Sequence, residues 1–248
     1  MPTTKVIPIK QITAWSFSRY STYKQCPLKL KISAIDKINE PPNDAMARGN
    51  AIHKLAEDYI KGKIARLPVE LKLFKEEFAK LKKQFKKKVN GMVVEDNWSF
   101  TKDWTETAWN DWVNCWVRIK LDCAHHEDEE TLIITDWKSG KFRPEMNEEY
   151  VEQLELYAPA AFLLHPHIKK VKPRLAYLDL GRVYPNGKDE PELVYSREDL
   201  PKLIKLWEKR VKPMMSDKRF APRPNDKCKW CFYGQSGKAK GGPGLCKY

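Results

Sequence analysis

No run of apolar residues in the 248-residue sequence approaches the ~20 needed to cross a bilayer, so a membrane span is not expected. There is no Gly-x-x-x-x-Gly-Lys-[Ser/Thr] run, which leaves the chain without an ATP motor of that kind. No internal repeat is evident. The opening Met-Pro-Thr-Thr-Lys lacks the apolar core of a signal peptide, so a cytoplasmic location is expected, where thiols stay reduced. Six cysteines then argue for metal ligands or core residues more than for disulfides. Acid is also in short supply. Lys and Arg total 46 against 33 Asp and Glu, a net charge of +13 with pI near 9.3. Such an excess points to a polyanionic partner, nucleic acid first, with plain solubility as the alternative.

What is present excludes a disordered chain. Hydrophobic residues make up 42%, with nine Trp, ten Tyr and nine Phe, and the length suffices to bury a core in one large domain or two small ones. Residues 1–15 read as an extended arm. Ser16-Phe-Ser18 starts a helix that carries Tyr20, Tyr23 and Cys26 up to Pro27. A second helix is expected over 44–60 and contains Arg48-Gly49 and His53. Leu71, Phe74, Phe78, Leu81, Phe85 and Val89 recur at helical spacing, and the other face holds eight lysines between Lys72 and Lys88. That face is either solvated or turned to phosphates. Residues 92–98 read as a strand bearing Glu95, and 98–116 are rich in tryptophan. Most of those rings are expected in packing, with stacking on unpaired bases open to one or two.

The chemistry gathers in the next stretch. Residues 116–123 alternate, with Arg118, Lys120 and Asp122 on one face and Val117, Ile119, Leu121 and Cys123 on the other. A polar connection over 124–130 follows, in which His125-His126-Glu127 is either a metal cluster or an exposed loop. Thr131-Leu-Ile-Ile-Thr-Asp136-Trp-Lys138-Ser-Gly140 then reads as a buried strand ending in Asp136 and Lys138. Residues two apart share a face, so a carboxylate and an amine emerge together at a hairpin that can bring Asp122 beside Asp136. A carboxylate suits a hard divalent cation, and a lysine can orient or help deprotonate a water. A helix over 147–164 places Gln153 and Tyr157 one turn apart on one face. Strands at 174–183 and 192–195 and a helix at 197–214 precede a Gly-, Lys- and Cys-rich tail, read as a loop, with Cys228-x-x-Cys231 and Cys246.

Taken in order, Cys26, Arg48-Gly49 with His53, Glu95, Asp122, Asp136-x-Lys138, Gln153-x-x-x-Tyr157 and the late cysteines resemble the RecB/AddB-type branch of the PD-(D/E)xK nuclease superfamily. CRISPR-associated and phage RecB-like exonucleases are of this kind. The resemblance implies an α/β restriction-endonuclease-like core, a mixed central sheet flanked by helices, with a helical insertion. It implies a single nuclease domain over 1–248: an N-terminal arm and helix to residue 45, a Lys- and Trp-rich insertion over 61–115, the catalytic core over 116–215 and the cysteine tail over 220–248. His53, Asp122, Asp136 and the main-chain carbonyl of Trp137 would hold Mg²⁺ or Mn²⁺. Glu95 would reach a second metal or a water, or be a surface residue. Lys138 would position and activate the water. Gln153 and Tyr157 would sit beside the site and contact DNA or order the lysine, and Arg48 would touch a phosphate of the DNA.

Cys26, Cys228, Cys231 and Cys246 match the positions that bind a 4Fe-4S cluster in iron–sulfur members, although four thiolates also suit zinc. Two departures stand out. Ile119 occupies a position where relatives usually carry Gly, and the gap from Cys231 to Cys246 is wide. Cys115 and Cys123 are expected in the core. The resulting expectation is a metal-dependent DNA exonuclease of recombination, repair or phage DNA metabolism, with a recombination or helicase protein as a further partner. An endonuclease on the same fold, a non-catalytic DNA-binding module and a cysteine-stapled structural protein are the alternatives.

Overall fold

A computed structural model describes residues 11–89 and 91–248, apart from the side chain of Asn147. Of the arm expected over residues 1–15, positions 1–10 lie outside the described residues, while Ile12, Ala14 and Trp15 are buried. In chain order the helices are α1 (Phe17–Gln25), α2 (Pro27–Leu30), α3 (Asp44–Ile60), α4 (Lys75–Lys86), α5 (Asn147–Leu164) and α6 (Leu200–Ser216). The strands are β1 (Val93–Phe100), β2 (Val117–His126), β3 (Thr131–Lys138), β4 (Lys170–Tyr177), β5 (Arg182–Tyr184) and β6 (Tyr195–Ser196). Among the described residues no helix is long and apolar enough to cross a membrane.

The chain divides into two compact units, one made of residues 42–207 and the other of residues 1–41 with 208–248. The larger holds a mixed sheet in the order β1-β2-β3-β4-β5, with β6 also on β4. β1–β2 and β2–β3 are antiparallel, β3–β4 parallel, and β5 and β6 antiparallel to β4. A parallel step needs a crossover, and α5 supplies it between β3 and β4. β3 is buried from Thr131 to Trp137, as a central strand covered on both faces must be. On one face Ile52, Ala56 and Ile60 of α3 join Phe78 and Leu81 of α4 over Val94, Cys123, Trp137 and Ala176. Successive strand residues point to opposite faces. Trp137 therefore enters this core, and Asp136 faces α5.

Local signals explain the helix limits. Asn43 caps α3, its Oδ1 accepting from Met46 N at 2.9 Å. Within 61–115, Val69–Phe74 forms a 3₁₀ turn leading into α4, Val93–Phe100 is strand, and 101–116 is a folded series of turns. The exposed loop expected at His125-His126-Glu127 begins only at Glu127. β2 runs on through both histidines, and His125 is only 3% exposed because it pairs across the sheet with Ile133.

In the smaller unit Ser16 caps α1, accepting from Arg19 N. Instead of a plain loop, the tail contains 3₁₀ turns at Asp226–Trp230 and Gln235–Lys240. Phe232 and Tyr233 pack on Ile32, and Tyr233 donates to Ile38 O at 2.9 Å.

Candidate functional site

The site forms where the hairpin strands stop pairing. The last β2–β3 pair on this side is Cys123↔Thr135, and the next step of that register sets Asp122 across from Asp136. Asp122 spans the parted strands by accepting from Trp137 N at 2.6 Å through Oδ2. On the other side of β2 the register sets Glu95 opposite Asp122, between Val94↔Cys123 and Asp96↔Leu121. Glu95 has φ 50°, which a non-glycine residue adopts only at some cost, and this takes it out of the ladder. α3 contributes His53. Its Nδ1 lies 3.2 Å from Glu95 Oε1 and 3.3 Å from Asp122 Oδ1, and its Nε2 lies 2.9 Å from the Trp137 carbonyl.

Those contacts define the ring's state. A carbonyl oxygen only accepts, so Nε2 carries a proton, and Nδ1 facing two carboxylates favours a second. Burial alone would lower the pKa of His53, but hydrogen bonds and charge from Asp122 and Glu95 outweigh it and raise the value to about 10. The acids shift in opposite directions. Burial, followed by the charge of Asp136, pushes the Asp122 carboxyl up. Burial would also raise Glu95, but His53 and Lys120 bring it below its ordinary range.

Around Asp136 the arrangement is asymmetric. Its Oδ1 accepts from Gln153 Nε2 and from Tyr157 Oη, both at 2.8 Å. Lys138 Nζ stands 2.6 Å from Oδ2 as an ion pair, and this buried oxygen has no further partner among the described residues. Lys138 also donates to Gln153 Oε1 at 3.3 Å. Burial would lower the lysine's pKa, yet Asp136 outweighs it and holds the ammonium charged. Tyr157 is pushed far up by burial and then by Asp136 and Asp122, so it stays a hydrogen-bond donor.

Among the described residues, His53, Glu95 and Asp122 are the group whose ligand atoms all lie within 4.8 Å of one another. An imidazole and two carboxylates beside a buried carboxylate oxygen whose partner is the Lys138 ammonium fit a hard divalent cation, and imidazole admits manganese as readily as magnesium. Once His53 gives up its Nδ1 proton, which a bound cation would displace, the residues present fit such an ion.

The remaining expected residues lie elsewhere. Arg48 forms a two-armed pair with Asp179 at 2.7 and 2.8 Å, and Asp179 also accepts from Gly140 N at 2.7 Å. These bonds tie α3 to the turn after β3. A side chain at Gly49 would meet Ser139 Oγ at 3.2 Å, so this glycine permits the close approach. Asp179 was not anticipated, and Lys120 was placed on the face of Asp122 without a role. Its Nζ is 3.2 Å from Glu95 Oε2, a contact that its alternation with Asp122 could have suggested. Asp179 has a positional signal only, just beyond the C-terminal end of β4.

In the smaller unit Cys26, Cys228, Cys231 and Cys246 line one cavity. Main-chain N–H groups point at two of the sulfurs, Arg223 N at Cys26 Sγ (3.5 Å) and Asn225 N at Cys228 Sγ (3.3 Å). Cys115 and Cys123 are buried in the larger unit.

A search of curated proteins finds no match. Among solved structures the chain is similar to SSO0001, with 14% identity over 91% of this chain and 85% of that one and a TM-score of 0.44. It is also similar to a candidate exonuclease from Eubacterium rectale, with 11% identity over 95% and 94% and a TM-score of 0.45. The model of the PD-(D/E)XK nuclease superfamily matches residues 14–236. With nearly the whole sequence inside that match, the chain belongs to the PD-(D/E)XK nuclease superfamily.

Proposed function

We propose that this nuclease is a DNA exonuclease of RecB-like type that requires Mg²⁺ or Mn²⁺ and acts in recombination, repair or phage DNA metabolism. One observation carries the reading. His53, Glu95 and Asp122 offer donors within 4.8 Å of one another, directly beside the Asp136–Lys138 pair. His53, Asp122, Asp136, Glu95 and the Trp137 carbonyl would hold the cation. When bound, it would stabilise charge on the phosphoryl oxygens and make a water nucleophilic at neutral pH.

The chain's own residues do the positioning. Gln153 and Tyr157 saturate Asp136 Oδ1 and so aim Oδ2 at the reacting centre. Lys138, kept charged by Asp136, is placed to orient the attacking water and to meet negative charge developing on the phosphate. Arg48 is 52% exposed along its side chain and would have to share its guanidinium between a phosphate and Asp179.

The four cysteines line one cavity, and by the resemblance of their positions we assign them a 4Fe-4S cluster, with zinc as the alternative for four thiolates. Iron and acid-labile sulfide analysis of anaerobically purified protein tests this. Stoichiometric zinc without iron would overturn it.

The decisive assay incubates the protein with Mn²⁺ and end-labelled linear DNA, with covalently closed circles alongside. Progressive loss of linear DNA with intact circles is expected. Cutting of circles would make the enzyme an endonuclease, and cleavage that survives Asp136→Ala and Lys138→Ala would overturn the site.

A further inference from the structure

The turns between β1 and β2 hold a large aromatic side chain out in solvent. Trp112 is 76% exposed and its neighbour Val113 90%, while Trp109 is 37% exposed. An exposed indole beside an exposed valine is unusual on a soluble surface unless something covers it. The segment around them is held firmly. Asp111 accepts from Thr107 Oγ1 (2.8 Å), Val113 N (3.1 Å), Asn114 N (2.9 Å) and Asn114 Nδ2 (3.0 Å). Arg118, at the start of β2, reaches back to the same segment. Its guanidinium carbon lies 4.6 Å from the Trp112 ring centre and 5.7 Å from that of Trp109, and its Nε donates to Trp109 O at 3.2 Å. The ring is thus backed by a cation and presented to solvent in a fixed pose.

The charge around the ring and its place along β2 identify the occupant. Among the described residues Arg118 contacts rings and a carbonyl but no carboxylate, so its charge is left for an incoming anion. Arg118, Lys120 and Asp122 alternate along one face of β2. Lys120 continues the basic line to Glu95, and the four residue steps from Arg118 to Asp122 span roughly 13 Å. A flat aromatic face with cations leading to an acid cluster matches a nucleic acid strand. In a duplex the bases already stack on one another, so an isolated ring gains only from an unpaired base.

We propose that Trp112, backed by Arg118 and Trp109, is a stacking station for unpaired nucleotides a short way along the strand from the acid cluster. The inference deepens the nuclease reading and rests on it only for the fate of the strand.

The test measures binding, not cleavage. Full-length protein is titrated in EDTA into fluorescein-labelled oligothymidylate and into a blunt duplex of equal length, as wild type, Trp112→Ala and Trp112→Phe. Loss of one stacked base costs roughly 1–3 kcal/mol, so Trp112→Ala should weaken single-strand binding by about 5- to 150-fold. Trp112→Phe should restore most of it, and duplex binding should stay within about twofold. Equal single-strand affinity in wild type and Trp112→Ala would overturn the proposal. So would a uniform loss on both substrates. If Trp112→Ala instead turned a wild-type dimer into monomer in sedimentation, with oligonucleotide affinity unchanged, the patch would be a protein interface. A wild type that binds through Trp112 but never cleaves DNA in Mn²⁺ would remove the nuclease reading and leave the station standing.

Discussion

The unit of residues 42–207 and the cysteine tail keep polar groups in place by different means. The larger unit does so with apolar burial. Ile52, Phe78, Leu81, Val94 and Trp137 fill one face of the sheet, and Asp122 and Asp136 stand at the margin of that solid support. The tail has Phe232 and Tyr233 against Ile32. Beyond these it relies on short 3₁₀ turns, main-chain bonds and four sulfurs around one cavity. A segment with so little apolar surface to bury needs a staple. The difference teaches that a core can carry a costly φ such as that of Glu95, whereas the tail keeps its turns with main-chain bonds and few apolar contacts.

The largest effect should come from chemistry with the fold untouched. Asp136→Asn keeps the side chain's size but removes its charge, and cleavage of linear DNA should fall at least ~1,000-fold, about 4 kcal/mol of barrier. Melting should hardly move. A variant that melts much earlier would mean that Asp136 serves the fold and not the reaction.

Next comes the core itself. Phe78 is 1% exposed and packs on Trp137 with ring centres 5.6 Å apart. Phe78→Ala should destabilise residues 42–207 by roughly 3–5 kcal/mol. Peptide-resolved hydrogen exchange should show protection lost there, with 222–248 unchanged. Uniform loss across the chain would erase the contrast between the regions.

Acid is a one-sided probe, because all five histidines lie between residues 53 and 167. Burial, aided by the charge of Arg174, Lys80 and His126, lowers His125 to about 3. The unfolded chain, with an ordinary imidazole near 6.5, therefore binds more protons between those values. Stability from a neutral His125 is complete above pH 6.5 and is lost as pH falls toward 3. From pH 7.5 to 5 the wild type should lose about 2 kcal/mol relative to His125→Leu. Parallel pH profiles for the two proteins would refute this.

Cys228→Ser then probes the other side. The tail should become about tenfold more sensitive to protease, about 1.4 kcal/mol of local opening, while 42–207 stays resistant. A tail equally resistant without this thiol would be one that needs no staple.

These contrasts were unevenly legible beforehand. The limits of α3 and α5 agree with the expected 44–60 and 147–164, because caps and helical periodicity act locally. Asp136 and Lys138 follow from strand spacing alone, and Asp122 from the alternation of β2. His125 read as loop because polar residues ordinarily leave a strand. Only the sheet around it overrides that preference. The φ of Glu95 and the pairing of Arg48 with Asp179 depend on segments distant in the chain, and no local pattern announces them.

The smallest effect tests how finely the larger unit tunes its site. Tyr157 and Gln153 both donate to Asp136 Oδ1, so either alone still leaves that oxygen bonded. Tyr157→Phe removes one donor without opening a cavity, and a hydrogen bond to a charged group is worth about 1.5–3 kcal/mol. With Gln153 sharing the oxygen, the low end applies, and kcat should fall roughly tenfold. KM for DNA should stay level if Tyr157 acts through Asp136. If Tyr157 instead touches the strand, KM should rise with kcat unchanged, and the hydroxyl would belong to substrate binding and not to the carboxylate's aim.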